Sequence, residues 1–336
     1  MKKKICCYVL FIVLVILLSL SFGCSTSYDL TNNQWYLRND GQTIEDVEGV
    51  RGEDIGFVET LFIEEANSVI GIMDEGVNFD NQSIKTSQYV NEAEIPNNGI
   101  DDDLNGYIDD VNGWDFYNND NTQFDYFFSK DHGTVITNIL VGSNSNGYEP
   151  LVLGAKVLSL KVFESEMYNI DALIAAINYA ESMETSVMII SFELLSYNEE
   201  LYQVMKKSDI LFVCSSGNNN SAEVSYPARF KLENLIVVGG IANTGYPYSK
   251  TNYGDFVDVY APAKDIYSMK ANGEYDYFSG TSFAVPQVAA LAYYFIELYN
   301  LDCIEAKRKV LSTSRTSEKI IYTNQYVIIL DYGKKE

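Results

Sequence analysis

Lys156-Val-Leu-Ser-Leu-Lys-Val162, Ser186-Val-Met-Ile-Ile-Ser191, Ile210-Leu-Phe-Val-Cys214 and Leu235-Ile-Val-Val-Gly-Gly240 are four short runs rich in Val, Ile and Leu. Ile170 to Ser182 separates the first two, and Glu199 to Lys207 the next two; both are amphipathic at helical spacing. Runs this short and this continuously apolar are buried on both faces, as parallel strands are, and the stretches between them serve as crossover helices. The pattern predicts an α/β fold, a mostly parallel central sheet with helices on both faces.

Upstream, Ser68-Val-Ile-Gly-Ile-Met73 reads as another buried strand and ends in Asp74-Glu75-Gly76. An acid just past the carboxyl end of a strand lies where open α/β sheets carry their sites. Asp131-His132-Gly133-Thr134-Val135 then leads into an apolar helix over Val135 to Val141. His132 is the single histidine of the chain. A lone histidine is ordinarily a satisfied or surface residue, but if a base is needed here no other imidazole exists. Ser215-Ser216-Gly217-Asn218 follows directly on the strand ending at Cys214. By itself Gly-Asn is a turn, yet an asparagine amide at a strand end can also donate to a developing oxyanion.

Downstream, Phe278-Ser-Gly-Thr-Ser-Phe-Ala-Val-Pro286 opens a helix of small and apolar residues running from about Phe283 to Tyr299. Ser282 stands at its mouth, where a nucleophile would face the first helical N–H groups; the plainer reading is a tight turn into a core helix. Pro286 is tolerated in a first turn. A further helix is expected over Cys303 to Ser312 and a short strand over Tyr326 to Leu330.

Composition narrows the function. The 336 residues are 47% apolar, enough for a substantial core. A net charge of −24 excludes a nucleic-acid partner, because phosphate binding needs a basic surface. Such charge favours divalent cations and cationic substrates instead. Of five cysteines three, Cys6, Cys7 and Cys24, fall in or just after the N-terminal apolar run, which leaves no disulfide framework.

Lys2, Lys3 and Lys4 precede an apolar run from Ile5 to Phe22, followed by Gly23-Cys24. A basic start, an apolar run and a small residue before the break describe an export signal, and about 18 apolar residues also suffice for a short span. Leu-Ser-Phe-Gly-Cys24 resembles a bacterial lipoprotein processing site, with Ser21 where a leucine is usual. A lipid anchor on Cys24 is favoured over a helix anchor, and both over free secretion; each places the body at the extracytoplasmic face of the bacterial cell membrane. Removing the three lysines from the 23 basic residues leaves 20 against 47 acidic, a net −27.

Asp101-x-Asp103-x-Asn105-Gly106-x-Ile108-Asp109 follows the start of an EF-hand-like loop. Hard oxygen ligands alternate and a glycine allows the sharp turn, so structural Ca2+ on Asp101, Asp103, Asn105 and Asp109 is expected. Asn112 stands where the full signature has a bidentate glutamate, and a solvated acidic turn is the alternative.

Asp74, His132, Asn218 and Ser282 stand in an order that resembles the subtilisin-like serine proteases, the subtilases, over roughly Gln34 to Ser312. The resemblance rests on Met73-Asp74-Glu75-Gly76, His132-Gly133-Thr134, Ser216-Gly217-Asn218 and Gly280-Thr281-Ser282-x-Ala284-x-Pro286, with Tyr226-Pro227 and Tyr260-Ala261-Pro262 as further landmarks. It implies that Ser282 attacks, His132 carries the proton, Asp74 orients the ring, and Asn218 with the Ser282 N–H forms the oxyanion hole. Ser191-Phe192-Glu193 occupies the segment that pairs with substrate, and Ser225 falls near the floor of the specificity pocket, where Glu193 would tolerate a basic side chain. Departures are Glu75 beside the acid, Val135 for a second histidine, Asn138 for a helix glycine, and Glu193 in the substrate segment.

Residues 1–23 are thus read as signal or anchor, 24–65 as an N-terminal extension, and 66–336 as one catalytic domain. With so short an extension, folding without a covalent chaperone segment is expected. The expected function is a monomeric serine endopeptidase with a restricted exported peptide or protein substrate. The alternatives are a catalytically inactive subtilase-fold protein that binds peptides, and a calcium-dependent surface protein.

Overall fold

The computed structural model describes residues 32–127, 130–143, 147–164, 167–322, 325–329 and 331–332. Its principal strands are β1 (Val69–Asp74), β2 (Gly113–Asp115), β3 (Lys156–Lys161), β4 (Thr185–Ile190), β5 (Leu211–Ser215), β6 (Leu235–Ile241), β7 (Val259–Pro262), β8 (Ile266–Met269), β9 (Tyr275–Phe278), β10 (Arg315–Tyr322) and β11 (Gln325–Ile329). The helices are α1 (His132–Val141), α2 (Ile170–Ser182), α3 (Glu199–Lys207), α4 (Val285–Tyr299) and α5 (Cys303–Thr313). Nine strands form one sheet in the order β10-β11-β7-β6-β5-β4-β1-β3-β2. Every pairing in it is parallel except β10 with β11. β8 and β9 make a separate antiparallel hairpin.

Period-two alternation divides the sheet residues between two cores. Ile70, Ile72, Val187, Ile189, Leu211, Val213, Ile236 and Val238 pack with α1, α4 and α5. Val69, Met73, Met188, Ile190, Phe212, Cys214, Leu235 and Val237 pack with α2 and α3 on the other face. The four strands have no solvent face, which is why their sequences lack polar alternation. Truncating one of the Leu, Ile or Met side chains to Ala costs about 2–5 kcal/mol.

Trp35, Tyr36, Ile55 and Leu61 of the N-terminal extension are buried in the α1 and α4 core. Trp35 Nε1 donates to the carbonyls of Lys264 and Asp265, tying the extension to the start of the hairpin. At the far edge of the sheet the wholly buried Lys161 meets Asp115 at 2.8 Å and also Glu164.

The expected strands and helices lie within a few residues of their observed ends. α1 starts three residues earlier than its apolar run, because His132 to Thr134 continue the helix from its polar end. The start of the last long helix is instead a 3-10 turn, Thr281–Phe283, before α4 proper. β2, β7, β10 and the β8–β9 hairpin carry no clear sequence pattern. β2 has only three residues and β10 is largely polar, so pairing rather than periodicity makes them strands. The N-terminal run 1–23, with Cys6 and Cys7, then Cys24, and the last residue of the expected Tyr326 to Leu330 strand all lie outside the described residues. No helix among the described residues is long and apolar enough to cross a membrane.

Candidate active site

β1 carries Ile70 and Ile72 toward α1, so the same period places Asp74 on that face. There the ring of His132, the first residue of α1, donates from Nδ1 to Asp74 at 2.9 and 3.0 Å. Gly133 makes this approach possible: a Cβ there would lie 2.4 Å from the carbonyl oxygen of Gly76. Asp74 is buried, and its Oδ1 also accepts from the N–H of Glu75 at 2.8 Å. His132 keeps 29% of its side chain exposed, so one edge of the ring is open. Burial works against the imidazolium, but the charge of Asp74, its hydrogen bond and the charge of Glu75 together raise the His132 pKa above the ordinary 6.5.

Glu75 is not a spectator. It is 3% exposed, and its Oε1 accepts from the backbone N–H of His132 at 3.3 Å. Asp131, which precedes α1, makes no side-chain cap and instead accepts from the N–H of Ala271. Glu75 therefore supplies the negative charge that a helix N-terminus attracts. Burial, then the neighbouring Asp74, raises its own pKa. Behind the base, Asn138 is fully buried yet satisfied, accepting from Ser83 Oγ at 2.7 Å and donating to Ser268 Oγ at 3.1 Å.

Ser282 sits in the 3-10 turn that feeds α4 and is 8% exposed. Its Oγ donates to the carbonyl of Ser191 at 3.3 Å. Among the described residues no hydrogen bond joins it to His132. The ring of the next residue, Phe283, has its centroid 5.7 Å from that of His132, so the α4 entry adjoins the base.

Asn218 lies past the end of β5 and is exposed. The N–H and Oγ1 of Thr281 both donate to its Oδ1, at 2.9 and 3.2 Å. With the carbonyl oxygen so held, the Nδ2 hydrogens are the amide's remaining hydrogen-bonding groups. Asn252 fixes the loop, donating to Ser216 O and accepting from the N–H groups of Asn219 and Ser221. Sequence reading did not identify Asn252 or the contact Thr281 makes; Asn252 lies 36 residues from Ser216, and no local pattern marks it.

Ser191, Phe192 and Glu193 extend from β4 along one side of Ser282. Ser191 Oγ donates to Ser282 O at 3.5 Å, and Phe192 packs on Phe163 with ring centroids 5.4 Å apart. Leu194 and Tyr226 exchange backbone hydrogen bonds at 2.7 and 3.0 Å, which brings Ser225 beside Glu193. Ser225 Oγ donates to Glu193 Oε2 at 3.4 Å. Glu193 Oε1 lies over Gly217, where a Cβ would stand 1.9 Å away; Gly217 also has φ +99°, so this position suits glycine on both grounds.

The acidic loop brings two of its expected ligands together with a third carboxylate. Asp101 and Asp103 converge with Glu94, their carboxylate oxygens within 4.8 Å of one another. Asp109 instead accepts from the N–H groups of Asn98 and Gly99, and the Asn105 amide nitrogen donates to Asp103 and Asp110. Glu94 lies outside the Asp101–Asp109 spacing, so the loop motif does not reveal it. The gathered donors are hard carboxylate oxygens that also accept loop N–H groups, a chemistry that suits Ca2+.

The fold agrees with comparisons to known proteins. The model of the subtilase family matches residues 65–325, and the chain belongs to that family. A subtilisin-like protease 1 of Plasmodium berghei is 28% identical over 251 residues, covering 66% of this chain and 41% of the relative. A thermophilic serine proteinase of Bacillus sp. strain AK1 is 29% identical over 252 residues, covering 72% and 59%. Thermitase of Thermoactinomyces vulgaris is 31% identical over 196 residues, covering 56% and 68%. The match thus spans only 41% and 59% of the length of the first two relatives. A cold-adapted subtilisin-like serine proteinase of known structure superposes with a TM-score of 0.62 at 20% identity, over 82% of this chain and 95% of the other, which speaks to the fold.

Proposed function

We propose that the chain is a serine endopeptidase that hydrolyses peptide bonds in an exported peptide or protein. The observation that carries this reading is the 2.9 Å contact of buried Asp74 with His132 Nδ1. It holds the proton on Nδ1 and leaves Nε2 as the acceptor.

For reaction the Ser282 hydroxyl leaves Ser191 O and turns to Nε2. Its proton passes to the imidazole as Oγ bonds to the scissile carbonyl carbon. The negative charge on the carbonyl oxygen falls to Asn218 Nδ2 and the Ser282 N–H, donors that need no rearrangement if already aimed. Collapse of the intermediate expels the amine, which takes the proton from His132. Water then attacks the acyl-serine by the same route and regenerates the hydroxyl. Asp74 stabilises the imidazolium at each stage without taking its proton.

An export signal, with Cys24 as lipid acceptor or the apolar run as helix anchor, would place this activity at the extracytoplasmic face of the membrane. Glu94, Asp101 and Asp103 would hold Ca2+, whose charge would offset repulsion in the acidic loop.

Labelling with a fluorophosphonate tests the chemistry. Folded wild-type protein is expected to label and Ser282→Ala to lose the label. Absence of any Ser282-dependent label would favour the inactive, peptide-binding alternative.

A further inference from the structure

Glu193 is a carboxylate set between the edge that flanks Ser282 and the turn that carries Asn218. Its Oε1 lies on Gly217, the residue before Asn218, and its Oε2 accepts from Ser225 Oγ at 3.4 Å. Three backbone segments enclose it: Ser191 to Leu194, Ser215 to Asn218, and Ser225 to Tyr226, the first and last paired through Leu194 and Tyr226. No lysine or arginine among the described residues pairs with it. Ser225 is the hydrogen-bonding partner found for it there, a neutral hydroxyl at the long end of the range. Burial pushes its pKa up, with the Ser225 hydroxyl acting against that shift. A half-buried carboxylate without a counter-ion is poorly solvated and unpaired, and a cation delivered to it gains more than it would at a solvated surface.

A peptide poised for attack has its carbonyl carbon at Ser282 Oγ and its carbonyl oxygen toward Asn218. Glu193 follows by two residues the Ser191 that is hydrogen-bonded to Ser282, and its Oε1 lies on the residue before Asn218, so the side chain on the acyl side of that bond comes within reach of its carboxylate.

We propose that Glu193 selects a lysine or arginine immediately before the scissile bond, so that the substrate class is peptides with a basic residue at that position. The inference rests on Ser282 being the nucleophile. A long aliphatic stem carries the terminal cation to Oε1 and Oε2; Leu offers no partner, and Ala leaves the carboxylate unpaired.

Peptidyl diphenyl phosphonates that differ only in the residue attached to phosphorus, Lys, Leu or Ala, test this. Ser282 Oγ bonds to phosphorus, phenoxide leaves, and the hydroxyl proton passes to His132, so the label is permanent. Wild-type protein is expected to react at least about tenfold faster with the Lys probe than with the other two. Glu193→Gln, nearly the same shape without charge, is expected to bring the Lys-to-Leu ratio down to about one. If Leu or Ala labels Ser282 as fast as Lys in the wild type, the preference is overturned while the nucleophile stands. If no probe gives a Ser282-dependent label, the peptidase reading fails and the preference with it. If Glu193→Gln keeps the wild-type Lys-to-Leu ratio, the preference belongs to the overall negative charge and Glu193 is excluded; the wild-type ratio measured in 0.5 M salt, where long-range attraction is screened, separates the two even if the variant does not fold.

Discussion

At Asn218, the two polar atoms of one side chain are divided between a structural contact and a proposed one. Oδ1 is held by Thr281, and Nδ2 is proposed to meet the oxyanion. Asn218→Ala is expected to lower kcat by about 10²–10³ with little change in KM, since such a donor acts on the transition state. Steady-state kinetics on a chromogenic peptide decides it, and an unchanged kcat would remove the residue from the oxyanion site. Glu75 bears on pH. His132 must be neutral to accept the serine proton, and its pKa is raised above 6.5. The acid limb of kcat/KM is therefore expected above pH 6.5, and Glu75→Gln, by removing one charge that favours the imidazolium, should move it to lower pH. A limb that stays in place would show that Glu75 serves only the start of α1. Asp74 and His132 were each legible from strand-end and helix-start context. The capping role of Glu75 was not, because it depends on a carboxylate and an N–H 57 residues apart.

Among the elements, the acidic loop from Asn91 to Asp110 is organised by carboxylates that accept its own N–H groups. Glu94 alone accepts from the N–H groups of Asp102, Asp103 and Asp109. A ligand bound only to the folded state adds about 2.7 kcal/mol at a hundred times its Kd. Chelation of Ca2+ is accordingly expected to lower Tm by about 5 °C in a domain of this size, and Glu94→Gln to abolish the difference. A Tm insensitive to chelator in the wild type would exclude the ion. The alternation of carboxylates was visible as a motif. The approach of Glu94 to Asp101 and Asp103 was not, since local spacing says which residues are near in sequence and a folded loop decides which oxygens face one another. The helices show the same division: the caps of α2 and α3, Asn169 and Asn198, are local, whereas α1 takes its partner from Glu75, just past the end of β1.

For the whole molecule, charge is the quantity that acts at a distance. With a net −24 the protein attracts cationic peptides, and salt screens that attraction beyond about 8 Å at physiological strength. For a lysine-bearing substrate kcat/KM is expected to fall about threefold to tenfold between low salt and 0.5 M salt, while an uncharged substrate changes little. Equal responses of the two substrates would exclude long-range steering.

The continuous apolar runs announced β1, β3, β4, β5 and β6, because strands buried on both faces leave no polar position to confuse the pattern. The same runs placed Asp74 and Asn218 at strand ends, and Gly280-Thr281-Ser282 marked the mouth of α4. These features were readable because each is set by a few neighbouring residues. Only the tertiary structure turned Glu193 onto Gly217, made Thr281 the holder of Asn218, and gathered Glu94 with Asp101 and Asp103. Such contacts join separate segments across the folded chain, and no local period encodes which of them will meet.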